Sequence, residues 1–357
     1  FSQLGVGYRE IPTQTNNINT NLQTGTEIIS SGEEFRNENF YNFVLGADYH
    51  INKYNILTIS GNFAYEIEQQ PSATEFTQKN AQGDIISQWQ RTESTQATNP
   101  KYQYEVQYKK DFADSKEHNL LISAVGNFFG KDQSSIFSNA ASLGEIPFGN
   151  QQTRTNFKEA RNTFQLDYTK PFNDVYTLET GVHYFLNDVA NDFEVSEWVN
   201  NEWRSDPGLT NVFEFHQKVL GLYGTGAYEG DRWGVKLGLR VENTDLQTIL
   251  INTEETNDRN FTNLFPSFHS SYKINEFISL QAGYSRRIFR PRLWDLNPFF
   301  NPRNNFSIRV GNPNLQPEFT DSYELNSIFI LKEVSFNFGV FHRYTTEVIE
   351  RVSFFEN

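Results

Sequence analysis

Apolar and polar residues alternate with period two over long stretches of this chain. In 233–242, Trp233, Val235, Leu237, Leu239 and Val241 share one face, while Gly234, Lys236, Gly238, Arg240 and Glu242 share the other. In 102–109, Tyr102, Tyr104, Val106 and Tyr108 oppose Gln103, Glu105, Gln107 and Lys109. The same pattern fills 57–67, 176–186 and 334–340, and helical spacing is nowhere sustained over a comparable length. Such alternation marks strands with two unlike faces. It predicts thirteen strands, at 3–9, 40–50, 55–68, 101–111, 119–131, 157–170, 175–187, 213–228, 233–245, 262–273, 277–287, 322–331 and 334–345. Each run is about ten residues, the length a tilted strand needs to cross a bilayer; soluble strands run nearer five or six.

The predicted connections come in two alternating lengths. Short ones fall at 51–54, 112–118, 171–174, 229–232, 274–276 and 332–333, and long ones at 69–100, 132–156, 188–212, 246–261 and 288–321. Asn- and Gln-rich stretches such as 14–23 are expected to be solvated surface. Short turns at one end and long loops at the other are the signature of an outer-membrane barrel, with the turns in the periplasm and the loops outside the cell. Aromatic residues flank the turns: Tyr49 and Tyr54, Tyr168 and Phe172, Tyr228 and Trp233, Tyr272 and Phe277. Rings placed there suit the headgroup level of a bilayer. The expected fold is all-β: a transmembrane antiparallel up-and-down β-barrel occupying residues 1–357 as one domain. Barrel walls of this kind have even strand numbers and no edge open to lipid. The wall is therefore expected to be partial, with further strands before residue 1 and after 357.

Composition agrees with this expectation. The 357 residues have a formal charge of −14, which argues against a nucleic-acid partner, and no Cys, which excludes disulfides and thiolate metal sites. Mean hydropathy is −0.61, and no apolar run approaches the roughly 18 residues of a membrane helix. Yet 15% of residues are aromatic, with 33 Phe and 17 Tyr. Disordered chains are normally poor in such residues.

The most specific stretch is 282–323, AGYSRRIFRPRLWDLNPFFNPRNNFSIRVGNPNLQPEFTDSY. Its Tyr284-Ser285-x-Arg287, its Arg290-Pro291 followed by Leu296-Asn297-Pro298, and its Gly311-Asn312-Pro313-x-Leu315-x-Pro317-Glu318 resemble the C-terminal barrel of TonB-dependent receptor-like proteins of Bacteroidota. The TTEVIERV segment, from Thr345, resembles the late hairpin of that family. The resemblance implies a wall of 22 strands around an N-terminal plug, opened by the inner-membrane protein TonB through a short box ahead of the plug. Neither plug nor box is seen in this sequence. The implied function is uptake of a scarce nutrient across the outer membrane of a Gram-negative bacterium: a siderophore, a cofactor, an oligosaccharide or a peptide. The alternative is a non-transporting barrel subunit that scaffolds a larger outer-membrane complex. Implied partners are outer-membrane lipid and lipopolysaccharide, the TonB system, and a surface lipoprotein or other outer-membrane subunits.

Little in the sequence points to catalysis. His50, His118, His183, His216, His269 and His342 form no close ligand spacing, no G-x-S-x-G elbow is present, and neither a metal nor a cofactor is called for. His50 and His118 are expected in solvated roles at turns, and His183 and His342 within strands. The concentration of charge lies in 286–309, where Arg286, Arg287, Arg290, Arg292, Arg303 and Arg309 surround a single acid, Asp295. Guanidinium forks suit carboxylate and phosphate, so Arg287, Arg290 and Arg292 are candidates for an anionic cargo or, alternatively, for pairing with acidic wall residues or with lipopolysaccharide phosphates outside. Trp294, Phe299 and Phe300 are candidates to stack on a ligand or to pack the loop. The three prolines at 291, 298 and 302 stiffen the segment, which is expected to fold inward over the mouth and bury Leu293, Trp294, Leu296, Phe299 and Phe300. The acidic stretch 188–206 lacks an EF-hand order.

Overall fold

A computed structural model describes residues 1–115, 117–146, 149–297, 311–331 and 333–352. Its strands are β1 (Ser2–Thr20), β2 (Glu27–Asn52), β3 (Asn55–Lys79), β4 (Ile85–Asp111), β5 (Asn119–Leu143), β6 (Gln151–Pro171) and β7 (Tyr176–Val199). They continue with β8 (Glu202–Ser205), β9 (Asn211–Glu229), β10 (Trp233–Leu250), β11 (Glu255–Lys273), β12 (Ile278–Phe289), β13 (Glu318–Leu331) and β14 (Val334–Thr346). A single helical turn, α1 (Leu293–Leu296), follows β12. The strands form one antiparallel sheet in which each pairs with its sequence neighbours, except that β7 pairs with both β8 and β9. Among the described residues, β1 and β14 are its two edges.

All thirteen expected strands are present, and β8 is an addition. It forms a small hairpin with the end of β7, turned by Asn200 and Asn201 at φ of 52° and 64°. Two consecutive residues in the left-handed region are what a two-residue hairpin turn requires, and Asn tolerates them. At the opposite end, Asn side chains set the turns. Asn173 Oδ1 accepts the N–H groups of Val175 and Tyr176 at 3.0 and 2.9 Å, and Asn275 Oδ1 those of Phe277 and Ile278, both at 2.9 Å.

Most strands before β12 are much longer than the expected ten residues, up to the 27 of β4, whereas β12 and β14 have 12 and 13. The stretches expected as loops at 69–100, 132–156, 188–212 and 246–261 are mostly strand, and so is much of 14–23. The physical reason is a change of phase. Near the short turns the apolar residues point outward: Ile59, Phe63 and Ile67 on β3, Leu220 and Leu222 on β9, Leu237 and Leu239 on β10 are all exposed. Farther along the same strands the buried apolar residues occupy the other parity: Phe76 on β3, Trp89 and Ala97 on β4, Phe137 on β5, Phe157 on β6, Val189 and Val195 on β7, Phe213, Phe215 and Val219 on β9, Leu246 and Leu250 on β10. Successive side chains of a strand alternate faces, so this shift moves the apolar residues from the outside of the wall to its inside. A rule that follows one parity sees the strand end at the shift, although the backbone ladder continues. Among the described residues, the long connection left is the one between β12 and β13, whose described ends are 290–297 and 311–317.

The outer apolar belt spans about nine residues per strand, as in Trp233–Val241. At about 3.4 Å per residue and a tilt near 40° this covers roughly the 25 Å apolar band of an outer-membrane wall. Aromatic pairs line its short-turn edge, with Trp233 and Tyr272 at 4.4 Å and Tyr176 and Tyr228 at 5.1 Å between ring centroids. His118, expected to be solvated at its turn, is instead buried there. Its Nδ1 lies 2.7 and 2.8 Å from the two Asp114 oxygens, its Nε2 3.0 Å from the Tyr168 hydroxyl, and its ring stacks on Phe112 at 3.9 Å.

Candidate functional site

The inner face of the wall is charged, and most of its charges are spent on each other. Glu38 and Glu68 stand directly opposite across β2 and β3 and are fully buried. Two carboxylates so placed repel unless cations bracket them. Arg9 and Arg36 pair with Glu38, and Arg36 and Lys131 reach Glu68, both at 3.4 Å. Lys101 pairs with Glu66 at 2.7 Å and Lys236 with Glu179 at 2.7 Å. The Tyr223 hydroxyl donates to Asp167, and Gln165 donates to the same carboxylate at 2.7 Å.

Against this wall lies a strap made by the two described ends of the β12–β13 connection, 290–297 and 311–317. At its start, Arg290 Nη2 donates to Glu242 Oε2 at 2.5 Å and to Thr244 Oγ1 at 3.0 Å, both on β10. Arg240 Nε lies 2.5 Å from the other Glu242 oxygen. The turn α1 follows, capped by Asp295 Oδ2, which accepts the Arg292 N–H at 3.0 Å. This turn drops Leu293 and Leu296 into a buried cluster with Phe157, Val189, Phe213, Phe215, Leu246 and Leu250. Each leucine removed from water contributes roughly 1.5–3 kcal/mol. The returning segment closes on α1: Gly311 N–H donates to Asn297 O at 2.8 Å and Asn312 N–H to Asp295 O at 2.7 Å. A Cβ at Gly311 would stand 2.5 Å from the Asn297 carbonyl oxygen and 2.7 Å from its nitrogen. The glycine is there because backbone passes against backbone. On the far side Arg259 Nη1 donates to Leu315 O at 2.8 Å and Asn257 Nδ2 to Pro313 O at 3.0 Å.

The expected site residues therefore separate. Arg290 is committed to the wall. Arg287 lies on the inner face of β12, exposed, with no carboxylate within salt-bridge distance among the described residues. Arg292 is also exposed and holds its guanidinium 5.5 Å from the Phe289 ring centroid. Trp294 departs from the expectation of burial. It is 62% exposed, because α1 is too short to bury more than the face carrying Leu293 and Leu296. One side of its indole stacks on Phe157 at 6.0 Å and 16°, and the rest is open. Phe299 and Phe300 lie outside the described residues. Phe289 was missed by the sequence reading, although its parity, shared with Arg287, places it on the inner face. Among the described residues no group of three His, Asp or Glu is arranged to hold a metal. His183 faces inward, while His342 lies on the outer parity beside Tyr323.

The profile of the outer membrane protein beta-barrel family matches residues 110–357. The chain belongs to this family. Its place is the outer membrane of a Gram-negative bacterium. Solved structures share the fold. The copper transporter OprC is 10% identical, with 97% of this chain and 54% of that one covered at a TM-score of 0.52. The ferric-catecholate import receptor Fiu from K12 E. coli, in its closed form, is 9% identical over 96% of this chain and 57% of that one, with a TM-score of 0.51. The ferric citrate transporter FecA, unliganded, is 9% identical over 95% and 50%, with a TM-score of 0.50. The chain thus spans about half the length of the solved structures it resembles. A search of the curated proteins by sequence found no match.

Proposed function

We propose that this chain forms part of the wall of an outer-membrane barrel that takes up a scarce nutrient, with its tall hairpins outside the cell and its short turns in the periplasm. The observation that carries the reading is a sheet apolar outward over a lipid-sized belt and lined inward with paired charges. Such a sheet separates lipid from a polar interior. At both sheet edges the unpaired backbone groups would be costly in lipid, so on this reading further strands complete the wall. The cargo is a siderophore, a cofactor, an oligosaccharide or a peptide. The kinship of fold with a copper transporter, a ferric citrate transporter and a ferric-catecholate receptor supports the uptake class. Energy would enter from the periplasm through TonB acting on a plug domain. Lipopolysaccharide and neighbouring outer-membrane subunits are the expected partners around the wall. Arg287 at the end of β12, and Arg292 and Trp294 on the strap, are the cargo-facing candidates.

The test is deletion of the gene for the whole protein, followed by growth on a panel of single limiting nutrients, with and without TonB. Loss of growth on one nutrient, reproduced by loss of TonB, is the expected result. Unchanged uptake of every nutrient, together with loss of an outer-membrane complex, would replace the transporter with a scaffold.

A further inference from the structure

Several inner-wall cations are held by carboxylates, whereas two at the foot of the strap are not, and this contrast points to a ligand chemistry. Arg9, Arg36, Lys101, Arg240 and Arg290 all sit on carboxylates. A guanidinium held by a buried carboxylate is not available to a passing solute, because taking it would strand the acid. Arg287 and Arg292 carry no such partner among the described residues, and both are exposed. They are also neighbours of one ring. Arg287 and Phe289 are successive inner-face residues of β12, and the Arg292 guanidinium lies over the same Phe289 ring. Glu318, opposite Phe289 on β13, gives one oxygen to the Ile349 N–H at 2.7 Å. Two residues beyond Arg292, Trp294 offers an open indole on a turn that is clamped at both ends.

We infer that Arg287, Phe289, Arg292 and Trp294 form a subsite for an anionic solute that also carries a flat ring. The Arg292 guanidinium over Phe289, and Arg287 two residues before that ring on the same face of β12, provide forked donors for carboxylate or phosphate oxygens. Phe289 and Trp294 provide faces on which a ring can stack. Rigidity adds to the match: the strap is tethered by Arg290 below and by Arg259 and Asn257 above, so little ordering entropy is lost on binding. Arg290 itself belongs to the scaffold of the subsite. This inference rests on the uptake reading for its purpose, though binding itself is independent of transport.

The experiment is titration calorimetry on the purified full-length protein in detergent, with three probes: benzene-1,3,5-tricarboxylate, its non-aromatic counterpart tricarballylate, and neutral benzyl alcohol. Migration on unheated gels checks that each variant barrel is folded. The aromatic tricarboxylate is expected to bind most tightly and to weaken with salt. Arg287→Gln with Arg292→Gln should lower its affinity by at least about ten-fold, as loss of charge-assisted hydrogen bonds predicts. Should the double variant not fold, each single substitution carries the same test at smaller effect. Phe289→Leu and Trp294→Leu should weaken the aromatic probe more than tricarballylate. Undiminished binding in the double Gln variant, or equal binding of benzyl alcohol, overturns the subsite. Binding as expected in a protein whose deletion impairs no uptake would leave the subsite standing and remove the transport reading instead.

Discussion

Arg290 of the strap and Glu242 of β10 meet at 2.5 Å, and the same carboxylate receives Arg240 at 2.5 Å from its other side. Glu242 is nearly sealed from solvent, while the two guanidiniums are only partly so. One acid thus holds two cations, one from the wall and one from the strap. Replacing Glu242 with Gln should leave both arginines without their countercharge. Removing one partner of a buried pair costs about 3–5 kcal/mol; the partial exposure of both arginines lowers the expectation to about 1–3 kcal/mol. The loss should fall on the strap first, so trypsin should cut after Arg292 faster while the barrel still migrates as folded. Unchanged cleavage would mean that the leucines of α1 hold the strap without the ion pair.

The barrel wall was legible from the sequence because lipid enforces one rule on every strand, apolar out and polar in, and the period of two repeats it. The outer halves of the strands were not, because above the belt the apolar residues switch to the inside and water accepts Thr, Gln and Ser on either face. Leu237 and Leu246 show the switch within one strand: the first is exposed outward, the second buried inward. The inward fold of 290–297 was legible from Pro291, Leu293 and Leu296, although Trp294 stays exposed and the rest of the expected segment, 298–309, lies outside the described residues. The division of labour between Arg287 at the end of β12 and Arg290 of the strap was not, since they differ only in whether a carboxylate from another strand meets them. Glu242 lies about fifty residues away in sequence, and only the register of β10 against the strap brings it there.

The lipid belt can be tested on β10. Leu237 is 57% exposed on the outer face, and Lys236 next to it faces inward on Glu179. Leu237→Arg should destabilise the folded barrel in bilayers by about 2–4 kcal/mol, and Lys236→Gln by much less. Urea titration of the protein in lipid vesicles measures both. A larger cost at Lys236 than at Leu237 would reverse the two faces.

Gly311 is tested by adding one methyl group. Its Cβ position is met by backbone atoms of Asn297 and Asp295, at 2.5 and 2.7 Å, and backbone cannot swing aside as a side chain does. Gly311→Ala should therefore force the returning limb off α1 and cost about 1–3 kcal/mol, the usual range for overpacking. Leu293 and Leu296 should then gain solvent exposure, read as increased labelling of Cys placed at 293 or 296, in a chain of 357 residues without cysteine. Equal labelling with and without the alanine would show that the two limbs are independent.

The β4–β5 turn gives a pH dependence outside the membrane belt. The hydrogen bond from the His118 imidazole chiefly holds the Asp114 carboxyl below the ordinary 3.8. A carboxyl whose folded value is lowered stabilises the fold fully above its unfolded value. It loses that contribution as pH falls through the folded value. The turn should therefore stay closed through pH 5 and open only in acid below about 4. Asp114 is itself exposed, so the effect is local to the turn and is read there. Hydrogen exchange at the Phe112 amide, which donates to His118 O at 2.9 Å, reports the opening. In Asp114→Asn the acid transition of this amide should disappear, with faster exchange already at pH 5. An amide that opens at the same pH in both proteins would show that Phe112 stacking and the Tyr168 hydroxyl hold His118 without the carboxylate.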